Sequence, residues 1–306
     1  MGALSHGQGQ LRAMSLSVQV SNRTRCNARC NFCISRTTPE TPTGLYTSET
    51  IDIDRLHTGL RFAERLGATH MILTGKADPS QEDIGYLGRL IEHGKQYLPL
   101  VDIHTNGMLF VKRIYATNPL AYLKECGLTM LTISLAHHSR QTNAELTGIT
   151  EEILPLISHA ANNLGLLVRC SVVLAKSGIA TSGDLIDYIY HVGHYGAHMV
   201  VVRELWNPDS YNKANPEVAK WNMDNFVSAT EIIKEITDYA DINVREPLPW
   251  GTEVFTMDGV WPDQEHSVNL TFANCGENNA PVLRSIVHKP NGHGYRNWDS
   301  NGDILY

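Results

Sequence analysis

Arg25-Cys26-Asn27-Ala28-Arg29-Cys30-Asn31-Phe32-Cys33 places three thiols within eight residues, spaced C-x₃-C-x₂-C, with an aromatic residue directly before the third. Thiolates this close on one short loop can converge on a single metal centre, and iron–sulfur clusters are held in this way. A [4Fe–4S] cube has four irons, so three cysteines leave one iron open to a ligand that is not protein. Zinc is the competing reading. A structural zinc site takes four protein ligands, and no fourth Cys or His follows this loop at finger spacing. On spacing alone, a structural metal knuckle or three unrelated thiols also stay open.

Outward from the loop, the chain reads as repeated strand–helix units. Ser15–Ser21 alternates Leu16, Val18 and Val20 with polar residues, a strand that runs straight into the cysteines. A helix follows over Ile53–Leu66, stopped by Gly67. Strands are then expected at His70–Thr74, Leu100–Thr105, Met130–Ala136, Leu167–Leu174 and His198–Leu205. The intervening helices fall near 81–97, 119–126, 151–164 and 182–195, with another near 224–239. These strands are β-branched and nearly continuously apolar, as in a parallel sheet buried on both faces. Six consecutive units predict a parallel α/β fold, and periodicity alone does not separate a barrel from an open doubly wound sheet.

The cysteine loop resembles the signature of the radical S-adenosylmethionine (radical SAM) superfamily. That resemblance implies a partial (β/α)₆ TIM-like barrel with the cluster loop after its first strand. It also implies one [4Fe–4S] cluster whose open iron binds S-adenosylmethionine (SAM). Reductive cleavage of SAM gives a 5′-deoxyadenosyl radical, which abstracts hydrogen from substrate. An electron donor such as flavodoxin or ferredoxin is the implied partner.

Further segments are similar to family motifs at the C-terminal strand ends, where parallel barrels carry their sites. Leu73-Thr74-Gly75-Lys76-Ala77-Asp78-Pro79 resembles the glycine-rich GGEP segment that holds the SAM amino group. It departs from that pattern at Lys76, Ala77 and Asp78, and its bland reading is a strand-to-helix turn. Thr105-Asn106-Gly107 resembles a TNG segment, with Asn106 as a pocket residue. Ser134 matches the serine of an SLD segment that contacts SAM, but Ala136-His137-His138 stands where the acid would be. His137 and His138 are assigned to substrate. Alternation puts Arg169, Ser171 and Val173 on one face, with Ser171 toward SAM. Arg203 has the guanidinium fork that suits a carboxylate, and Glu204 beside it is assigned to substrate. Phe32 resembles the aromatic whose backbone lies along the adenine. Lone Cys275 reads as a buried small hydrophobe or as a hydrogen-atom donor of the kind used by radical SAM epimerases.

The domain reading is a disordered leader over 1–14, a barrel over 15–206, and a linker or lid over 207–222. A last helix and a strand- and turn-rich C-terminal extension over 223–306 then cover the open side of the barrel. The chain has 306 residues, a net charge of −7 and no basic run, so a field that attracts nucleic-acid polymers is not expected. The first residues lack the apolar segment of a signal peptide, and no run is long enough to span a bilayer. Six cysteines in a chain read as cytoplasmic favour metal or catalysis over disulfides. The reading is therefore a radical SAM enzyme acting on a small molecule, nucleotide, sugar or peptide. The alternative is a non-catalytic metal-binding scaffold on the same barrel.

Overall fold

The computed structural model describes residues 11–37, 50–205, 215–239, 242–245, 247–248, 253–258, 267–273, 282–298 and 303–306. In chain order the elements are β1 (Arg12–Ala13), β2 (Ser15–Gln19), α1 (Ile34–Thr37), α2 (Ile53–Arg65), β3 (His70–Thr74), α3 (Ile84–Lys95), β4 (Leu100–Thr105), α4 (Met108–Arg113), α5 (Pro119–Glu125) and β5 (Met130–Ser134). They continue with α6 (Arg140–Thr147), α7 (Leu154–Ser158), β6 (Leu167–Val173), α8 (Ser182–His194), β7 (Met199–Arg203), α9 (Pro216–Asp224), α10 (Ala229–Ile236), β8 (Ile242–Val244), β9 (Val254–Met257), β10 (Val268–Phe272), β11 (Val282–Leu283), β12 (Ile286–His288) and β13 (Gly294–Tyr295).

The main sheet has the order β13-β12-β2-β3-β4-β5-β6-β7-β10-β9-β8. From β12 through β10 every pairing is parallel. Among the described residues its two edges do not pair with each other, so the architecture is an α/β partial barrel that does not close. The C-terminal extension takes part in the sheet itself. It adds β10 beside β7 and β12 beside β2, one on each flank of the six expected strands. The leader expected over 1–14 needs correction at its end, because Arg12–Ala13 is a strand paired with Val282–Leu283. The linker expected over 207–222 contains most of α9.

Local chemistry explains the helix bounds. Asp52 caps α2 by accepting from the backbone N–H groups of Asp54 and Arg55 at 2.9 and 3.1 Å. Gly67 ends it at φ 84°, a conformation that costs glycine nothing. Thr181 and Asp184 form a reciprocal capping box at the start of α8. Leu56, Leu60 and Ala63 of α2 are fully buried against the sheet, and each leucine contributes about 1.5–3 kcal/mol.

The strands correct one sequence expectation. They are not apolar on both faces. Met71, Leu73, Val101, Ile103, Leu131, Ile133, Val168, Val172, Val200 and Val202 face the helices and are buried. The alternate residues form a polar inner face that includes Ser17, Gln19, Asp102 and Thr132, themselves at most 5% exposed. No helix among the described residues is long and apolar enough to cross a membrane.

Candidate active site

The cysteine loop leaves the C-terminal end of β2 and is tied down on two sides. On one side Arg29 N and Asn31 N donate to the carbonyls of Thr147 and Leu146 at the end of α6, at 2.7 and 3.0 Å. On the other, Asn27 N donates to Gln81 Oε1 at 3.2 Å, and Arg23 pairs with Glu82 at 2.9 Å. The loop therefore closes over the ends of β3 and β5, although its own sequence has no regular periodicity. Cys26, Cys30 and Cys33 line one cavity of about 100 Å³ together with Thr24, Arg36 and Lys76. Phe32 packs its ring on Trp221 of α9, with centroids 6.0 Å apart.

Electrostatics favour a cation here. The Cys30 thiol is pushed up to about 12, first by burial and then by the neighbouring Cys33 and Cys26. Cys26 is raised as well, chiefly by burial. Crowded half-buried thiols keep their protons until a metal displaces them. A tetrahedral zinc with 2.3 Å bonds would bring its sulfurs to within about 3.8 Å of one another. Among the described residues, the one trio of ligand atoms within 4.8 Å of one another is His138, Asp187 and His191. The three cysteine sulfurs are therefore more widely spread, which suits a multi-iron cluster better than a single zinc ion.

The turns after β3 and β4 meet beneath this loop. Asp78 is 6% exposed. It accepts from Ser80 N and Thr105 Oγ1 at 2.9 Å, from Asn106 N at 2.5 Å, and from the Ser80 hydroxyl. Its carboxyl is shifted upward by burial, against the pull of those donors. Asn106 donates from Nδ2 to Asn27 Oδ1 at 2.8 Å, and the same nitrogen lies 3.8 Å from Cys26 Sγ. Thr74 ends β3 and gives its carbonyl to Val20 N at 2.9 Å. Gly75 comes so close to the Ala77 carbonyl that a Cβ there would lie 3.1 Å from it, and next to it Lys76 reaches the cysteine cavity.

Along the inner face, Ser134 is exposed at the end of β5 and pairs in register with Ser171 of β6. Arg203 of β7 donates from Nε to Ser171 Oγ at 3.3 Å. Deeper lies a network that the sequence reading did not assign. Arg169 Nη2 sits 2.6 Å from Asp102 Oδ2, and its Nε donates to Thr132 Oγ1 at 3.0 Å. Thr132 donates to Asp102 at 2.8 Å, and His104 Nε2 lies 3.0 Å from both Asp102 Oδ2 and Arg169 Nη2. Alternation in Leu100–Thr105 was the available signal, since it places Asp102 and His104 on the face that Arg169 shares.

No protein-family model matches the chain. It is 25% identical over 260 residues to the GTP 3′,8-cyclase of Aquifex aeolicus, covering 80% of this chain and 71% of that protein. It superposes on Streptococcus suis SuiB bound to precursor peptide SuiA with a TM-score of 0.63, over 96% of this chain and 62% of that one, at 13% identity. On SuiB bound to S-adenosylmethionine the TM-score is 0.60, over 98% and 64%, at 15% identity. This chain thus spans less than two thirds of the length of SuiB. The two superpositions show that the chain shares the fold of SuiB.

Several residues assigned by resemblance to a cluster, SAM or substrate have bonds that the sequence did not announce. Asp78 joins the β3 and β4 turns through both of its oxygens. Asn106 bonds to Asn27 and approaches Cys26 through its side-chain amide. Glu204 accepts from Ala229 N at 2.7 Å and so caps α10. His137 and His138 turn from the barrel toward α8, where His138 Nε2 lies 3.2 Å from Asp187 Oδ2. Lys76, Ser134, Ser171 and Arg203 stay at the mouth or on the inner face. Cys275 lies outside the described residues.

Proposed function

We propose that Cys26, Cys30 and Cys33 hold the [4Fe–4S] cluster of a radical SAM enzyme. Its substrate, a small molecule, nucleotide, sugar or peptide, would lie on the polar inner face. The observation that carries this reading is the convergence of the three cysteines on one cavity with Lys76, at the C-terminal end of β2. When bound, the cluster and SAM supply a 5′-deoxyadenosyl radical. The protein positions and protects that chemistry. Backbone bonds to Thr147, Leu146 and Gln81 fix the cysteine loop. Asp78 locks the two turns beneath it, and Trp221 on Phe32 screens it from the α9 side. Ser134, Ser171 and Arg203 are the SAM contacts of this proposal, and Arg169 and His104 face the substrate. A flavodoxin- or ferredoxin-like donor supplies the electron.

The test is anaerobic reconstitution with iron and sulfide, reduction with dithionite in the presence of SAM, and mass spectrometry for 5′-deoxyadenosine. The wild-type chain should form it, and Cys30→Ala should lose both the cluster and the product. SAM cleavage retained by Cys30→Ala refutes the assignment. The named activity of the Aquifex relative makes guanine nucleotides the first substrates to screen.

A further inference from the structure

On the far side of β5 from the inner face, three side chains with metal-ligating atoms meet. Asp187 and His191 lie one turn apart on α8, so they share a helix face. His138 reaches them from the loop between β5 and α6. That loop is anchored where Tyr188 OH donates to the Leu135 carbonyl at 3.0 Å and Ala136 N donates to Asn143 Oδ1 at 3.1 Å. One ligand atom from each of His138, Asp187 and His191 falls within 4.8 Å of the other two. We propose that these three residues form a second metal site, separate from the cysteine loop, for a divalent transition cation of the zinc type.

The atoms suit the chemistry. Imidazole and carboxylate together select borderline cations such as zinc. With bonds of about 2.0–2.1 Å, two ligands on a tetrahedral zinc stand about 3.3 Å apart. His138 Nε2 and Asp187 Oδ2 stand 3.2 Å apart, so one edge of the tetrahedron is already set. His191 Nδ1 lies 2.8 Å from the carbonyl oxygen of Asp187. The same nitrogen lies 3.4 Å from Asp187 Oδ1, so the ring nitrogen that faces the carboxylate is Nδ1, and sharing a cation means exchanging its bond to the carbonyl for one to the ion. His138 Nδ1 is buried without a hydrogen-bond partner, so that nitrogen does not dictate which one carries the proton.

One adjustment is required. The His138 and His191 rings are stacked, 4.1 Å apart with planes 8° from parallel, so their lone pairs run side by side. The His191 ring must turn out of the stack to share an ion with His138. Its side chain is 41% exposed and that of Asp187 55%, which gives it room to turn and leaves the remaining coordination positions to water. A cation here would tie the end of β5, and with it Ser134, to α8.

The experiment uses the cluster-loaded chain under anaerobic conditions, stripped of loosely held zinc and titrated with zinc chloride against a chromogenic zinc indicator. Asp187→Ala and His191→Ala are the variants, because both positions are solvent-facing and their replacement leaves the fold intact. Wild type should take up one zinc per chain that each variant binds at least tenfold more weakly, with cluster absorbance unchanged in all three. Long-range ¹H–¹⁵N spectra of the imidazoles should show the ring nitrogens of His138 and His191 shifting with zinc. Equal zinc binding by wild type and both variants, or none by wild type, overturns the proposal. Because the readout is the difference between wild type and variants, it stands whether or not the cysteine loop proves to carry a cluster.

Discussion

Replacing Arg169 with methionine should destabilise the protein through charge rather than through packing. Asp102 is 0% exposed. Burial alone would raise its carboxyl, yet His104 and Arg169 together hold it well below the usual carboxylate range. His104 is itself shifted downward by burial, against the pull of Asp102. Shifted downward beside an arginine, His104 stays neutral at pH 7, so Arg169 is the standing charge that balances the carboxylate. Removing one partner of a buried pair costs about 3–5 kcal/mol. At about 2.1 cal/mol/K per residue, a chain of this length loses about 6 °C of Tm for 4 kcal/mol. Arg169→Met should show that loss by calorimetry at pH 7. The double variant Asp102→Asn, Arg169→Met should recover at least half of it, because the orphaned charge is gone. The pH dependence has a definite sign. Without Arg169 the folded pKa of Asp102 rises above its unfolded value of about 3.9, so the folded state binds a proton more readily than the unfolded state. The deficit of Arg169→Met should therefore shrink as the pH falls from 7 to 5. A double variant no more stable than the single one would refute this account and place the cost in lost packing and the Thr132 bond.

Other consequences follow from single contacts. Asp78→Asn keeps the shape but turns one acceptor oxygen into a donor facing Thr105 and Asn106. It should cost about 2–4 kcal/mol in urea unfolding and loosen cluster retention, and an unchanged midpoint would count against the joint between the two turns. Asn106→Ala removes an N–H aimed at Cys26 Sγ. Hydrogen bonds to cluster sulfurs help set the reduction potential, so the cluster should still assemble but titrate at a more negative potential. His288 is buried and held down to about 4, first by burial and then by His293. Below pH 6.5 the unfolded state takes the proton first, so this contribution is complete above 6.5 and is lost as the pH falls to 4. The loss is about 3 kcal/mol, and a His288→Gln variant should lack that part of the acid slope.

What the sequence made legible is what local periodicity encodes. The strands beginning at Ser15, His70, Leu100, Met130, Leu167 and Met199 stand where the β-branched, apolar-rich runs put them, within a residue or two. Gly67 and Gly127 stop helices at φ 84° and 109°. The cysteines were legible because their spacing is itself the chemistry. The role of Asp78 was not, because its partners Thr105 and Asn106 arrive from 27 and 28 residues away, and no local pattern says that a strand-end acid will be spent on the next turn. The bond made by Glu204 was hidden for the same reason, since the N–H it accepts from belongs to Ala229. Helix α9 was missed although Asn215-Pro216 is a sound helix start. Asn215 does accept from Val218 N at 3.2 Å, but the polar run before it read as linker. Strands β10 and β12 fall in the extension that reads as strand- and turn-rich. Their places on opposite edges rest on pairings across the chain, such as Val287 with Ser17, that alternation cannot supply.

The inner face constrains what the barrel can accept. A barrel filled with branched apolar side chains is a core, but the Asp102–Thr132–Arg169–His104 network occupies that position here. Such a network is stable only to the extent that each polar atom is satisfied. Asp102 Oδ1 and His70 Nε2 are buried without a hydrogen-bond partner, and His70 Nε2 lies 3.6 Å from Asp102 Oδ2, too long for a hydrogen bond. Both atoms are already shut off from water by the protein itself, and each costs about 1–3 kcal/mol. The part of the network that a ligand can reach is Arg169 and His104, whose side chains are 18% and 24% exposed. These polar groups favour substrates that carry hydrogen-bonding groups on the side facing the floor of the barrel.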